Sequence, residues 1–290
     1  MRVFVTGGSG FTGRRVVRQA VDAGHDVSAL ARTSDAARRL ERLGAAPITG
    51  DLDDPASVDQ AFEAAKADVL VNIASLGFGH ADTVVAGAEA AEVDRAVFVS
   101  TTAIFTTLPA PSRAVRLAAE RRITTSAAVG WTIVRPTMIY GAPGDRNMSR
   151  LLALLARTPV VPLPGGGDHL MQPVHVEDVA TAILTAATAD RAAGRCYTVA
   201  GPTALTLRRI VEEAADAIGR RVTCVGVPLA PVLTAARLVD RFAHHPRITS
   251  EQIARLAEDK AFDITPAVAD LGFAPRPFAA GIRAHAALTR

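Results

Sequence analysis

Cysteine is scarce in this chain of 290 residues: Cys196 and Cys224 stand alone and form no metal-ligand spacing. Two cysteines so placed do not make a disulfide framework. Aromatic residues make up only 4%, with two tyrosines, Tyr140 and Tyr197. Lysine is almost absent, since of 32 basic residues only Lys66 and Lys260 are lysine. No apolar run reaches membrane-spanning length, and the first apolar run begins at Val3, which leaves no room for a signal peptide. A cytoplasmic protein without an integral membrane segment is expected. The net charge of +3 is carried by short arginine groups such as Arg14/Arg15/Arg18 and Arg38/Arg39/Arg42 on the polar sides of expected helices. Solvated helix faces account for them, and no nucleic-acid partner is expected.

What the chain does hold is 49% hydrophobic residues against 21% charged, a globular balance. Its most pointed stretch is Thr6-Gly7-Gly8-Ser9-Gly10-Phe11-Thr12-Gly13, directly after Val3-Phe4-Val5. Gly8, Gly10 and Gly13 satisfy G-x-G-x-x-G between an apolar strand and an amphipathic helix. Glycine lets the backbone turn sharply and approach a pyrophosphate, and the helix N-terminus offers unpaired amides to the anion.

Strands are expected at Arg2–Thr6, Asp26–Ala31, Ala46–Thr49, Asp68–Ile73, Ala96–Ser100 and Trp131–Arg135. Helices are expected near Phe11–Ala23, Asp35–Leu43, Pro55–Ala65, Asp82–Glu92 and Arg113–Ser126. Strands apolar on both faces, separated by helices, indicate a parallel sheet covered on both sides. After Pro136 the alternation loosens, and Pro159, Pro162, Pro164 and Gly165–Gly167 read as a connector. Cys196–Ala200 reads as a further core strand. Helices at Leu207–Ile218, Leu229–Ala243, Ser250–Glu258 and Phe278–Leu288 suggest a helical cap. The expected fold is α/β: a Rossmann-type doubly wound parallel sheet in 1–165, and a smaller, mostly helical C-terminal substrate lobe in 166–290, with 195–200 returning to the core.

Thr6-Gly7-x-x-Gly10-x-x-Gly13 resembles the fingerprint of the extended and atypical short-chain dehydrogenase/reductases, the NAD-dependent epimerase/dehydratase family. Supporting segments are Gly50-Asp51-Leu52, Asn72-Ile73-Ala74, Val99-Ser100-Thr101-Thr102, Arg135-Pro136-Thr137-Met138-Ile139-Tyr140-Gly141, Pro173 to Ala180 and Leu271 to Arg276. The C-terminal pieces look most like an atypical branch that includes the nucleotide-binding accessory subunit of respiratory complex I. The resemblance implies coenzyme contacts at Gly7, Gly10, Phe11, Thr12, Gly13, Leu52, Ala74 and Pro136. Asp51 falls where the family's acidic residue approaches the adenine; a helix-entry cap is its other role.

Ala31-Arg32 ends the second strand, where an NAD site carries Asp or Glu on the ribose 2′-hydroxyl. A guanidinium there suits a 2′-phosphate, and Arg14 can assist, so NADP is expected over NAD. The family's chemistry needs Tyr-x-x-x-Lys, whose lysine lowers the tyrosine pKa for proton exchange with substrate. Here Tyr140 has Gly144 four residues on and Tyr197 has Gly201, so the pair is absent. Counting back from Glu120 puts Arg116 in the lysine position and Ser112 in the tyrosine position. Arg116 can hold ribose hydroxyls but stays protonated and cannot relay a proton. Thr102 matches the family's substrate-binding hydroxyl. Tyr140 can bring a phenol from another direction or pack at the lobe boundary. His169, His175 and Asp178 serve more simply as a loop histidine, a lobe junction and a helix-start residue.

Three readings follow: an NADP-dependent oxidoreductase on a small carbonyl or hydroxyl substrate, a non-catalytic NADP(H)-binding sensor or partner-binding module, and a sugar-nucleotide epimerase/dehydratase. The missing pair weighs against the third, because those reactions begin by deprotonating a substrate hydroxyl. An oligomer or a protein partner is compatible with the apolar cap face Leu229/Val232/Leu233/Ala236/Val239.

Overall fold

The computed structural model describes residues 1–108, 110–126, 129–145, 147–242 and 250–288. The first half alternates as expected: β1 (Arg2–Thr6), α1 (Gly13–Asp22), β2 (Asp26–Ala31), α2 (Ser34–Glu41), β3 (Ala46–Thr49), α3 (Pro55–Ala65), β4 (Val69–Asn72), α4 (Ala81–Ala90), β5 (Arg95–Val99), α5 (Pro111–Thr124) and β6 (Gly130–Pro136). Asp54 caps α3 through Ala56 N and Pro55 fills its first turn, as the sequence indicates. Beyond Pro136 come β7 (Ile139–Tyr140), α6 (Met148–Leu155), β8 (Val160–Pro164), β9 (Leu170–Met171), β10 (Val174–His175), α7 (Val176–Thr188), β11 (Arg195–Val199), β12 (Leu205–Thr206) and α8 (Leu207–Ala217). The chain closes with β13 (Thr223–Val227), α9 (Leu229–Phe242), α10 (Ser250–Leu256), α11 (Thr265–Leu271) and α12 (Phe278–Ala287).

Seven strands form one parallel sheet in the order β11-β6-β5-β4-β1-β2-β3. Strand alternation distributes the core: Val3 and Val5 face one layer with α1 and α7, while Phe4 faces the other with α3, α4 and α5. Order reverses between β1 and β4, which opens a crevice at the carboxyl ends of the strands. This is a Rossmann-type doubly wound sheet. A third apolar cluster joins Met148, Leu152, Leu163, Ile210, Ile282 and neighbours in the C-terminal region.

Two segments differ from expectation. Pro162 and Pro164 lie within β8, whose one partner is β13; an edge position needs no outward amide, so proline is tolerated. Gly165–Gly167 form a tight turn with φ of 66°, 79° and 80°, a left-handed run that glycine accommodates. The apolar face expected on α9 is buried at Ala236 alone, and Val239 stays half exposed. No described helix is long and apolar enough to cross a membrane.

Candidate coenzyme and substrate site

The glycine turn is held by contacts that leave no room for a side chain. Gly7 has φ of 71°, and a Cβ there would lie 2.7 Å from Ala74 N. A Cβ on Gly13 would lie 2.1 Å from Gly7 O and 2.7 Å from Gly8 Cα. The turn, the β4 exit and the start of α1 are thus packed backbone to backbone. Gly10 N donates to Gly7 O at 3.1 Å, closing the loop. Thr12 makes no side-chain cap and the first turn of α1 carries no acidic residue to repel an anion, although Arg14 N and Arg15 N already donate to Gly10 O and Thr12 O. Phe11 is fixed by Arg15, which donates to its carbonyl at 2.9 Å and stacks on its ring at 4.7 Å. Arg15 also lies 3.6 Å from Glu177 on α7.

At the end of β2, Arg32 Nη1 lies 3.9 Å from Asp51 Oδ1, with both side chains well exposed. The two residues expected at the adenosine end therefore meet. Asp51 does not cap α3, a role that Asp54 takes. Leu52 packs partly buried against the α3 layer.

At the other end, Asn72 Nδ2 donates to Ala74 O at 3.3 Å, and Ser75 caps a short 3-10 turn at Leu76–Phe78. Arg116 lies over that turn: Nη2, Cζ and Nε sit 3.1, 3.2 and 3.2 Å from where a Gly77 Cβ would be. Its Nη1 donates to Ser112 Oγ at 2.5 Å, one helical turn away. Burial, then the charge of Arg255, lower the Arg116 pKa from the usual arginine value. Thr102 Oγ1 donates to Pro136 O at 3.4 Å, which joins two further expected positions. Behind them Glu120 takes two bonds from Arg135, at 3.1 and 2.6 Å. Burial is the largest single influence on Arg135 and depresses it, but the bonds to Glu120 together with the charges of Cys196 and Glu120 hold its pKa above the usual value.

Ser100 Oγ at the end of β5 and Arg14 Nε at the start of α1 are buried atoms without a hydrogen-bond partner among the described residues. These orphaned groups, with the glycine cradle, fit a phosphorylated dinucleotide laid across the strand ends. At the start of α5, a cavity of about 420 Å³ is lined by Phe105, Thr106, Thr107, Leu108, Ala110, Arg113 and Ala114.

Several candidates sit elsewhere. Tyr140 is fully buried; its hydroxyl donates to Phe278 O at 3.4 Å and fills the space where a Gly281 Cβ would fall. Burial pushes its pKa up, so the expected phenol from another direction is a packed core group in this fold. Asp178 does not serve the α7 amides; its carboxylate takes Arg276 N and guanidinium, with Nη2 at 2.7 Å. His175 caps α7 instead, accepting from Glu177 N at 3.3 Å. His169 pairs with Asp259 at 3.3 Å. Unforeseen from sequence is Glu258, which takes Thr106 Oγ1 at 2.7 Å, Thr107 N at 2.7 Å and Thr107 Oγ1 at 3.1 Å. Its partners lie about half the chain away, so no local signal marks it.

Residues 7–190 match a family model described as NAD(P)H-binding. The chain is 29% identical to 4-hydroxy-2-methyl-3-oxo-4-farnesyl-3,4-dihydroquinoline-1-oxide ketoreductase of Stigmatella aurantiaca, over 82% of this chain and 79% of that protein. It is 27% identical to 2-alkyl-3-oxoalkanoate reductase of Stenotrophomonas maltophilia, over 95% of each. It is 29% identical to the mitochondrial NADH dehydrogenase [ubiquinone] 1 alpha subcomplex subunit 9 of Arabidopsis thaliana, over 80% of this chain but only 62% of that protein. The glycine cradle, the sheet and the family match agree: the chain, whose relatives include reductases, belongs to the NAD(P)H-binding family.

Proposed function

We propose that this protein is an NADP(H)-dependent oxidoreductase acting on a small carbonyl or hydroxyl substrate without a Tyr-x-x-x-Lys pair, with 166–290 as its substrate lobe. The observation that carries this reading is Ser112 and Arg116, one turn apart and hydrogen-bonded, on a helix packed against the turns Leu76–Phe78 and Thr102–Phe105 that follow β4 and β5. Gly7, Gly10, Phe11, Thr12 and Gly13 would hold the pyrophosphate, Asp51 and Leu52 the adenine, and Ala74 and Pro136 the nicotinamide end. When bound, the coenzyme supplies hydride. Thr102 orients the substrate oxygen; its 3.4 Å bond to Pro136 O is long and readily exchanged. Arg116 lends positive charge without releasing its own proton, and Ser112 passes a solvent proton to the substrate oxygen. Tyr140 is assigned a packing role.

Arg32 supports NADP, since a planar fork binds phosphate through charge-assisted bonds worth roughly 1.5–3 kcal/mol. Calorimetry is expected to show NADPH bound about 10–100-fold more tightly than NADH, and Arg32→Asp to remove that preference. Equal affinities in the parent protein would overturn NADP selectivity; no heat with either coenzyme would overturn the whole reading. NADPH consumption against a panel of ketones, 3-oxo acids and aldehydes tests turnover. The missing phenol and the likeness to the complex I subunit favour a second reading, a non-catalytic NADP(H) holder. A stable NADPH complex that no panel member oxidises selects it.

A further inference from the structure

We infer that Arg116 is a carboxylate clamp, so that the substrate is an oxo acid with its carboxylate close to the reacting carbonyl. This deepens the oxidoreductase reading and rests on it. The part-buried arginines Arg15, Arg95, Arg122, Arg135 and Arg276 each have a carboxylate within ion-pair distance. Arg14 and Arg208 have none among the described residues, but Arg14 starts α1 at the coenzyme turn and Arg208 donates to Gly166 O and Cys224 O. Among the described residues no carboxylate lies within that distance of Arg116, although Arg116 is half-buried. Withdrawing a guanidinium from water is costly unless an anion compensates it. Its sole described acceptor is a neutral hydroxyl, Ser112 Oγ.

The geometry says how an anion would be taken. Three guanidinium atoms are nearly equidistant, at 3.1 to 3.2 Å, from the Gly77 Cβ position, so the plane lies flat on the Gly77 backbone. The Ser112 bond uses Nη1 and leaves the Nε/Nη2 edge without an acceptor among the described residues. That edge is the parallel pair of donors that a carboxylate accepts in bidentate fashion. Gly77 permits the arrangement, since any side chain there would lift the plane. The charge of Arg255 on α10 adds to the local positive potential.

The neighbouring chain supplies the rest of an oxo acid. Thr102 offers a hydroxyl for the carbonyl oxygen. The cavity of about 420 Å³ begins one turn earlier on α5, and Phe105, Leu108, Ala110 and Ala114 line it for an apolar tail. Thr106, Thr107 and Arg113 make the rest of that lining polar, and Arg113 has its Nε engaged on Ile104 O at 2.8 Å.

The test titrates 3-hydroxydecanoate and methyl 3-hydroxydecanoate into the NADPH-saturated protein, a pairing that cannot react. The acid is expected to bind at least tenfold more tightly than the ester. In Arg116→Gln that ratio should fall towards one, and Arg116→Lys should retain part of it. Equal binding of acid and ester by the parent protein, or binding of neither, overturns the inference without any variant having to fold. So does Arg116→Gln with the acid/ester ratio intact and only NADPH affinity reduced, which assigns the guanidinium to the ribose. NADPH affinity and carbonyl turnover of the parent protein are measured separately, so a failed clamp is distinguishable from a failed oxidoreductase.

Discussion

Gly13→Ala is expected to weaken NADPH and NADH together by at least about 100-fold, the loss of roughly two charge-assisted hydrogen bonds. The new Cβ would stand 2.1 Å from Gly7 O and 2.7 Å from Gly8 Cα, and both neighbours are backbone. Neither can move alone, because Gly7 is packed against the backbone of Ile73 and Ala74, just beyond β4. Relief therefore requires α1 to back away from the turn, which carries its amides out of line with the pyrophosphate. Overpacking of this kind also costs about 1–3 kcal/mol of stability. Gly24→Ala is the control: nothing lies within 4 Å of its Cβ position, but φ is 77°. It should lose about 1 kcal/mol through backbone strain and leave coenzyme affinity unchanged. Calorimetry beside thermal melts separates the two effects, and normal coenzyme binding by Gly13→Ala would refute the cradle.

Glu120→Ala carries the largest expected loss of stability, about 3–5 kcal/mol. Glu120 is 7% and Arg135 19% exposed, and two bonds join them in the layer beneath the candidate site. Removing the carboxylate strands a guanidinium that faces the Phe105 ring, 5.5 Å away, and Cys196, with no other carboxylate within ion-pair distance among the described residues. For a chain of this size the midpoint should fall by about 6–10 °C. Replacing both partners, as Glu120→Leu with Arg135→Met, should recover most of that loss, since no charge is left buried. A single-variant cost below about 1 kcal/mol would show that water already compensates the pair.

The core was legible where the pattern is local. Val3-Phe4-Val5 followed by glycines is apolar on both faces and then sharply turned, and β1, the turn and α1 follow within a residue or two. The start of α7 was legible only through Asp178 as a helix-start residue; its length was not, because Val179, Ala180, Ala182, Ile183, Ala186 and Ala187 leave little polar contrast around it. Its burial on several sides erases the amphipathic signal that revealed α1. The seven-residue α11 is too short to declare a period. At the site, Ser112 and Arg116 share a helix and could be counted from Glu120, whereas Gly77 entered only when α5 crossed the β4 exit. Glu258 and the burial of Tyr140 by α12 depend on contacts 152 and 138 residues apart, which no window along the chain contains.

The packing of α1 on α7 has a consequence for biogenesis. Helix α1 covers Val16, Val17 and Ala20 only in part on β1, β2 and α2, and its apolar face is completed later, when α7, which ends at residue 188, has been made. At 5–20 residues per second that delay is roughly 10–30 s. During this interval an oily surface and an unpaired β6 edge await the strand Arg195–Val199, which makes the nascent chain a natural client for holding chaperones.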